Sequence, residues 1–159
     1  MLMSHLTKLC LVILSLATAL HAEPDHHHHH GHHHGVAETL SAPNGGRLID
    51  ELKPQLEFLL LDDRRVQVSA VDDHGAVIPV DAQSVQLIGG ERSNPIRMAL
   101  VREGNALVSE EPLPDLEAMP VILLIKSDAN ADLHREKFYL ATHICSGCGL
   151  KEYACTCGH

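Results

Sequence analysis

Four of the chain's five cysteines lie in its last fifteen residues, and a histidine stands on each side of the group. Closely spaced thiolates and imidazoles are ligands for soft or borderline metal ions, which they hold in tetrahedral geometry. The pattern therefore predicts a metal site in this C-terminal tail. Its candidate ligands are His143, Cys145, Cys148, Cys155, Cys157 and His159.

Two other interpretations of these cysteines remain open from the sequence. An exported chain carries its thiols into an oxidising compartment and their number is even, so two disulfides are the main alternative. The Cys145-x2-Cys148 spacing also occurs in redox motifs, but the βαβ pattern that accompanies them is missing. Because a terminal segment without a strand partner is mobile unless tied down, we expect metal ions or disulfides to be the tail's only source of order.

A second group of candidate ligands lies near the other end of the chain, where eight histidines occupy nine positions. Neutral imidazoles bind Zn, Ni, Cu or Co, and such a run has no fixed geometry, so it predicts metal collection without selectivity. A purification tag and a solvated linker are the alternatives. The candidate ligands are His26, His27, His28, His29, His30, His32, His33 and His34.

The first 22 residues have the features of an export signal. A short segment with one lysine precedes an apolar run from Leu9 to Leu20, and small residues follow up to Ala22. A run of about 12 apolar residues is too short to span a bilayer, so it predicts a cleaved signal peptide in preference to an anchor. We therefore expect a periplasmic or secreted protein whose mature form has no membrane span.

Charge and composition exclude several classes of function. The net charge is −9, and clustered Lys and Arg for binding phosphates are absent, so nucleic acid is not an expected partner. The sequence also lacks a nucleophile elbow, a phosphate-binding glycine loop and a His-Glu-x-x-His motif. We therefore expect a binding protein and not an enzyme.

The elements that must position these ligands are short β-strands. Apolar runs and segments that alternate with period two are separated by turn residues, and no segment shows a helical stripe. Residues 43–142 are therefore predicted to be a single antiparallel β-sandwich of immunoglobulin-like architecture, between a disordered His-rich segment (23–42) and the tail (143–159). The predicted strands are Gln55–Leu61, Arg65–Val71, Ser84–Ile88, Ile96–Leu100, Asn105–Ser109, Val121–Ile125 and Glu136–Ala141.

Two segments resemble a known group of proteins. The opening Pro43-Asn44-Gly45-Gly46-Arg47 and the tail from Cys145 to His159 resemble small periplasmic metal-binding proteins that accompany RND-type heavy-metal efflux systems. The opening is also similar to the β-domain of the periplasmic adaptor subunits of those pumps. The Gly45-Gly46 pair is predicted to form a tight turn with positive φ before the first strand. The resemblance implies a metal-binding accessory to efflux.

Together these features predict an exported protein that buffers or hands over a transition metal, with zinc favoured because it suits both thiolates and imidazoles. Metal ions are the expected ligands, and a periplasmic efflux or metal-transfer complex is the expected partner. Two rivals remain: a disulfide-stapled β-domain that docks on an envelope complex, and a maturation factor that delivers nickel or copper to an enzyme.

Overall fold

The computed structural model describes residues 41–158. Within this range there is no α-helix, and no helix is long and apolar enough to cross a membrane. The predicted signal peptide, the histidine tract and His159 lie outside the described residues. The elements are β1 (Arg47–Ile49), β2 (Gln55–Leu60), β3 (Val66–Val71), β4 (Val77–Ile78), β5 (Ser84–Gly89), β6 (Ile96–Glu103), β7 (Ala106–Ser109), β8 (Ala118–Lys126), β9 (His134–Ala141) and a 3-10 turn (Glu152–Ala154).

All paired strands run antiparallel and follow one path, β1-β2-β3-β7-β6-β5-β8-β9, with β4 beside β3. Strand β6 joins two halves of this sheet, because its first part pairs with β5 and its second part pairs with β7. The sheet curves until its two ends approach each other, which makes it nearly barrel-shaped. At the junction the Arg47 guanidinium of β1 donates to the Glu136 carboxylate of β9 over 2.8 Å.

The core follows from the alternation that predicted the strands. Along β8 every second side chain is buried, namely Met119, Val121, Leu123 and Ile125. Phe58 of β2 lies fully buried between the rings of Phe138 and Tyr153, at centroid distances of 5.0 and 5.7 Å. Burial of these apolar side chains is the main stabilising term of such a domain.

The prediction of an antiparallel all-β domain is confirmed, and each predicted strand corresponds to one of β2, β3 and β5–β9. Strands β1 and β4 were not predicted, since three- and two-residue strands are too short to show a period. The immunoglobulin-like sandwich is not confirmed. Strand spacing fixes how many strands form but not which ones pair, and here β6 links the two halves into one sheet.

Candidate metal centre

The first two cysteines lie on a tight turn. The Cys145 amide donates to the Leu150 carbonyl over 2.8 Å, and the Gly149 amide donates to the Cys145 carbonyl over 2.9 Å. Gly149 has φ +76°, a conformation that glycine adopts without the strain of a side chain. A single antiparallel bridge between Ile144 and Lys151 closes the base of the turn. This turn brings the sulfurs of Cys145 and Cys148 to the same side.

The second pair is held in place by the 3-10 turn. Tyr153 is only 3% exposed, and its hydroxyl accepts a 3.1 Å hydrogen bond from the buried Leu60 amide of β2. The Tyr153 ring packs edge-on against Phe58, and Ala154 is buried beside it. The backbone becomes extended at Cys155, so Cys155 and Cys157 leave the turn close to the first pair.

The four cysteine sulfurs form one cluster, in which every Sγ lies within 4.8 Å of the others. Cys155 Sγ lies 3.4 Å from Cys145 Sγ and 3.7 Å from Cys148 Sγ, and Cys145 Sγ lies 4.0 Å from Cys157 Sγ. Tetrahedral zinc with Zn–S bonds of about 2.3 Å requires sulfurs about 3.8 Å apart. A disulfide requires about 2.05 Å, and the described residues contain none. The cluster therefore has the dimensions of a four-sulfur metal site.

The cluster also favours ionisation of one thiol before the others. The Leu150 amide donates to Cys148, and with the thiols of Cys155, Cys157 and Cys145 it lowers the pKa of Cys148 to about 7. Hydrogen bonding with the neighbouring thiols, Cys155 first, favours the protonated form of Cys157 and raises its pKa to about 12. Metal ligands must be deprotonated, so a divalent cation would supply the positive charge that allows all four to ionise.

A cavity of about 390 Å³ opens beside the cluster. Its lining includes Cys148 and Cys155 together with the backbone of Gly45 and Gly46. Gly45 has φ +76°, which confirms the predicted turn. Gly46 is required for a different reason, because a Cβ there would lie 2.3 Å from the Phe58 carbonyl oxygen.

A buried carboxylate fixes this glycine loop. Glu57 is 1% exposed, and its Oε1 accepts hydrogen bonds from the amides of Asn44 (2.9 Å) and Gly46 (2.8 Å). Its Oε2 accepts a third bond, of 2.7 Å, from Asn44 Nδ2. Three donors compensate for burying a charge, so Glu57 holds the loop against the cavity.

The sequence-predicted ligands thus fall into three groups. Cys145, Cys148, Cys155 and Cys157 come together in one cluster that can hold a metal ion. His143 is exposed and is not a member of this cluster; its Nε2 lies 3.8 Å from a Glu152 carboxylate oxygen. His159 and the histidines of residues 26–34 lie outside the described residues.

The expectation that metal ions or disulfides alone order the tail is wrong. Tyr153 and Ala154 are buried in the same core as β2, and Tyr153 bonds to its backbone. An aromatic residue between two cysteine pairs is the sequence signal for such an anchor. Likewise, Glu57 is the one acid in a predicted strand whose other residues are apolar except Gln55, and that position is the signal for a buried, hydrogen-bonded carboxylate.

Comparisons with protein-family models, with curated proteins and with solved structures found no match to this chain.

Proposed function

We propose that this protein is an exported, non-enzymatic metal-binding protein that holds a transition metal on its four tail cysteines. The supporting observation is the sulfur cluster, whose spacing suits a single tetrahedral ion. Zinc is the favoured metal, since four thiolates in tetrahedral arrangement are typical of zinc, with copper, nickel and cobalt as its competitors.

The proposed role is to buffer this metal in the periplasm, or to hand it over, as an accessory of heavy-metal efflux. The apolar leader ending near Ala22 supports export, and the similarity of the Pro43-to-Arg47 opening and of the tail to efflux-associated proteins supports the pathway. The histidine tract would collect metal without selectivity beside the selective cysteine centre. Because an unperturbed imidazole protonates near pH 6.5, the tract should release its ions as the pH falls through about 6.

Elemental analysis tests the binding part of this proposal. The full chain, a chain lacking residues 26–34, and a chain with all four tail cysteines changed to serine are purified from the periplasmic fraction without a metal column. Both variants should bind fewer ions per chain than the full chain, and the cysteine variant should lose the ion that survives acidification to about pH 6. Unchanged stoichiometry in the cysteine variant would refute the centre.

Metal tolerance tests the efflux part. Cells that lack the protein should grow more poorly in excess zinc than cells that carry it, and the cysteine-to-serine variant should fail to restore growth. Growth of cells whose protein lacks residues 26–34 shows how much zinc tolerance depends on the histidine tract and how much on the cysteine centre. Equal growth of all strains, in cells that contain the efflux pump, would refute the role in efflux. It would not contradict metal binding.

A further inference from the structure

The cavity beside the cluster reaches two of the four sulfurs. Cys148 and Cys155 line it, whereas Cys145 and Cys157 do not. Its remaining wall includes apolar groups such as Ala42, Leu150 and Ala154. A volume of about 390 Å³ lies within the range of small-ligand sites, which is about 300–1,000 Å³. A purely structural zinc site is closed by its four ligands, so an adjoining space of this size requires a separate explanation.

The two cavity-lining cysteines differ in exposure. Each sulfur accepts a backbone amide: Cys155 accepts the Cys157 amide over 3.3 Å, and Cys148 accepts the Leu150 amide. Cys148, however, is exposed at the tip of the tight turn, whereas Cys155 is half-buried. Cys145, by contrast, is only 4% exposed. Cys148 is therefore the ligand that an incoming group can replace with the least disturbance.

The Gly45-Gly46 loop forms part of the cavity wall. The Glu57 carboxylate anchors this loop by accepting hydrogen bonds from the Asn44 and Gly46 amides. Any side chain at Gly46 would collide with the Phe58 carbonyl, so this part of the wall cannot carry a side chain. The Gly-Gly opening thus forms one side of an access route to the metal.

We propose that the cavity admits an exogenous thiol, which replaces Cys148 as a ligand in the first step of metal transfer. This inference rests on the proposed metal-binding function. In the exchange the incoming S–H bond would break as its sulfur replaced Cys148 Sγ on the metal, and the released Cys148 sulfur would take up the proton. Charge and protons balance, and no electrons are transferred.

Chemical rescue of a truncated ligand tests the exchange. The full-length Cys148→Ala variant is loaded with Co²⁺, and thiolate-to-cobalt charge-transfer absorption is followed while 2-mercaptoethanol is added. The absorption should rise and saturate at one equivalent of bound thiol, because the added sulfur occupies the emptied position. Cys157→Ala is the matched control: its sulfur is also exposed but does not line the cavity, so it should gain no absorption over the same thiol range.

A blocked cavity provides the second arm. Adding Ala42→Phe to Cys148→Ala places an aromatic ring in the cavity without touching a ligand, and it should abolish the rise. A blocked Gly-Cys-Gly peptide is tested beside 2-mercaptoethanol: a rise with the peptide alone assigns the cavity to a partner protein's cysteine, and a rise with the small thiol assigns it to free thiols. Either result supports exchange.

Two results would overturn the inference. Equal gains in the Cys148→Ala and Cys157→Ala variants would show that the cavity has no part in thiol entry. Sulfur–cobalt absorption in the wild type, with no rescue of Cys148→Ala by either thiol, would show that the centre binds metal but is closed to exchange. Absence of that absorption in the wild type would instead refute the proposed function itself.

Discussion

Replacing Tyr153 with phenylalanine should destabilise the domain by about 1–3 kcal/mol, because the buried Leu60 amide loses the Tyr153 hydroxyl, an acceptor 3.1 Å away. The ring itself is kept, so its edge-on packing against Phe58 contributes nothing to the difference. Truncation to alanine removes that packing as well and should cost about 3–5 kcal/mol. The difference in the free energy of unfolding between the two variants measures the packing, and the loss in Tyr153→Phe alone measures the hydrogen bond.

Denaturant unfolding of the reduced, metal-free protein measures both effects. The chain supplies its own control, since Tyr139 on β9 is 60% exposed. Tyr139→Phe should change the free energy of unfolding by less than about 0.5 kcal/mol. All variants should show the same denaturant slope, because none of them alters the surface exposed on unfolding to any large extent.

The comparison tests whether the tail is docked without metal. If Tyr153→Phe and Tyr139→Phe prove equally stable, Tyr153 does not anchor the tail in the metal-free protein. The original expectation, that metal ions or disulfides supply all of the tail's order, would then be restored.

Three further predictions concern the groups around the centre. Burial disfavours the phenolate and raises the pKa of Tyr153, so spectrophotometric titration of the Tyr139→Phe variant should show a tyrosine that ionises above about pH 10. The free energy of unfolding should be constant below that pH and fall as the pH rises through the folded pKa, and a tyrosine with an ordinary pKa would contradict this. Gly46→Ala should lower the free energy of unfolding by about 1–3 kcal/mol because its Cβ would lie 2.3 Å from a carbonyl oxygen, and an unchanged denaturation midpoint would show that the loop moves freely. Glu57→Gln should cost about 1–2 kcal/mol in the same assay, since its bonds lose the charge that strengthens them; wild-type stability would mean that burying the charge offsets their benefit.

Much of the fold could be predicted because it depends on local pattern. Alternation in Ser84–Gly89 defines a buried face directly, and glycine and aspartate mark the turns between strands. The pairing of β3 with β7, and of β5 with β8, depends on contacts between residues far apart in the chain. No local pattern encodes those contacts, so the nearly closed sheet was not foreseen.

The metal centre was likewise predictable only in its local features. The cysteine spacing indicated that the sulfurs would meet, because six residues between two close pairs leave room for little more than a turn. The spacing did not indicate that Tyr153 would enter the core, that Glu57 would hold the Gly45-Gly46 loop, or that a cavity would adjoin Cys148. Each of these depends on where β2 passes beneath the tail.

Native mass spectrometry of the chain lacking residues 26–34, isolated from its own compartment without a metal column, decides between a metal centre and two disulfides in the tail. Because the four sulfurs form a single cluster, we expect one metal ion per chain and no mass loss from disulfides. A chain without metal whose mass is lowered by two disulfides would contradict it.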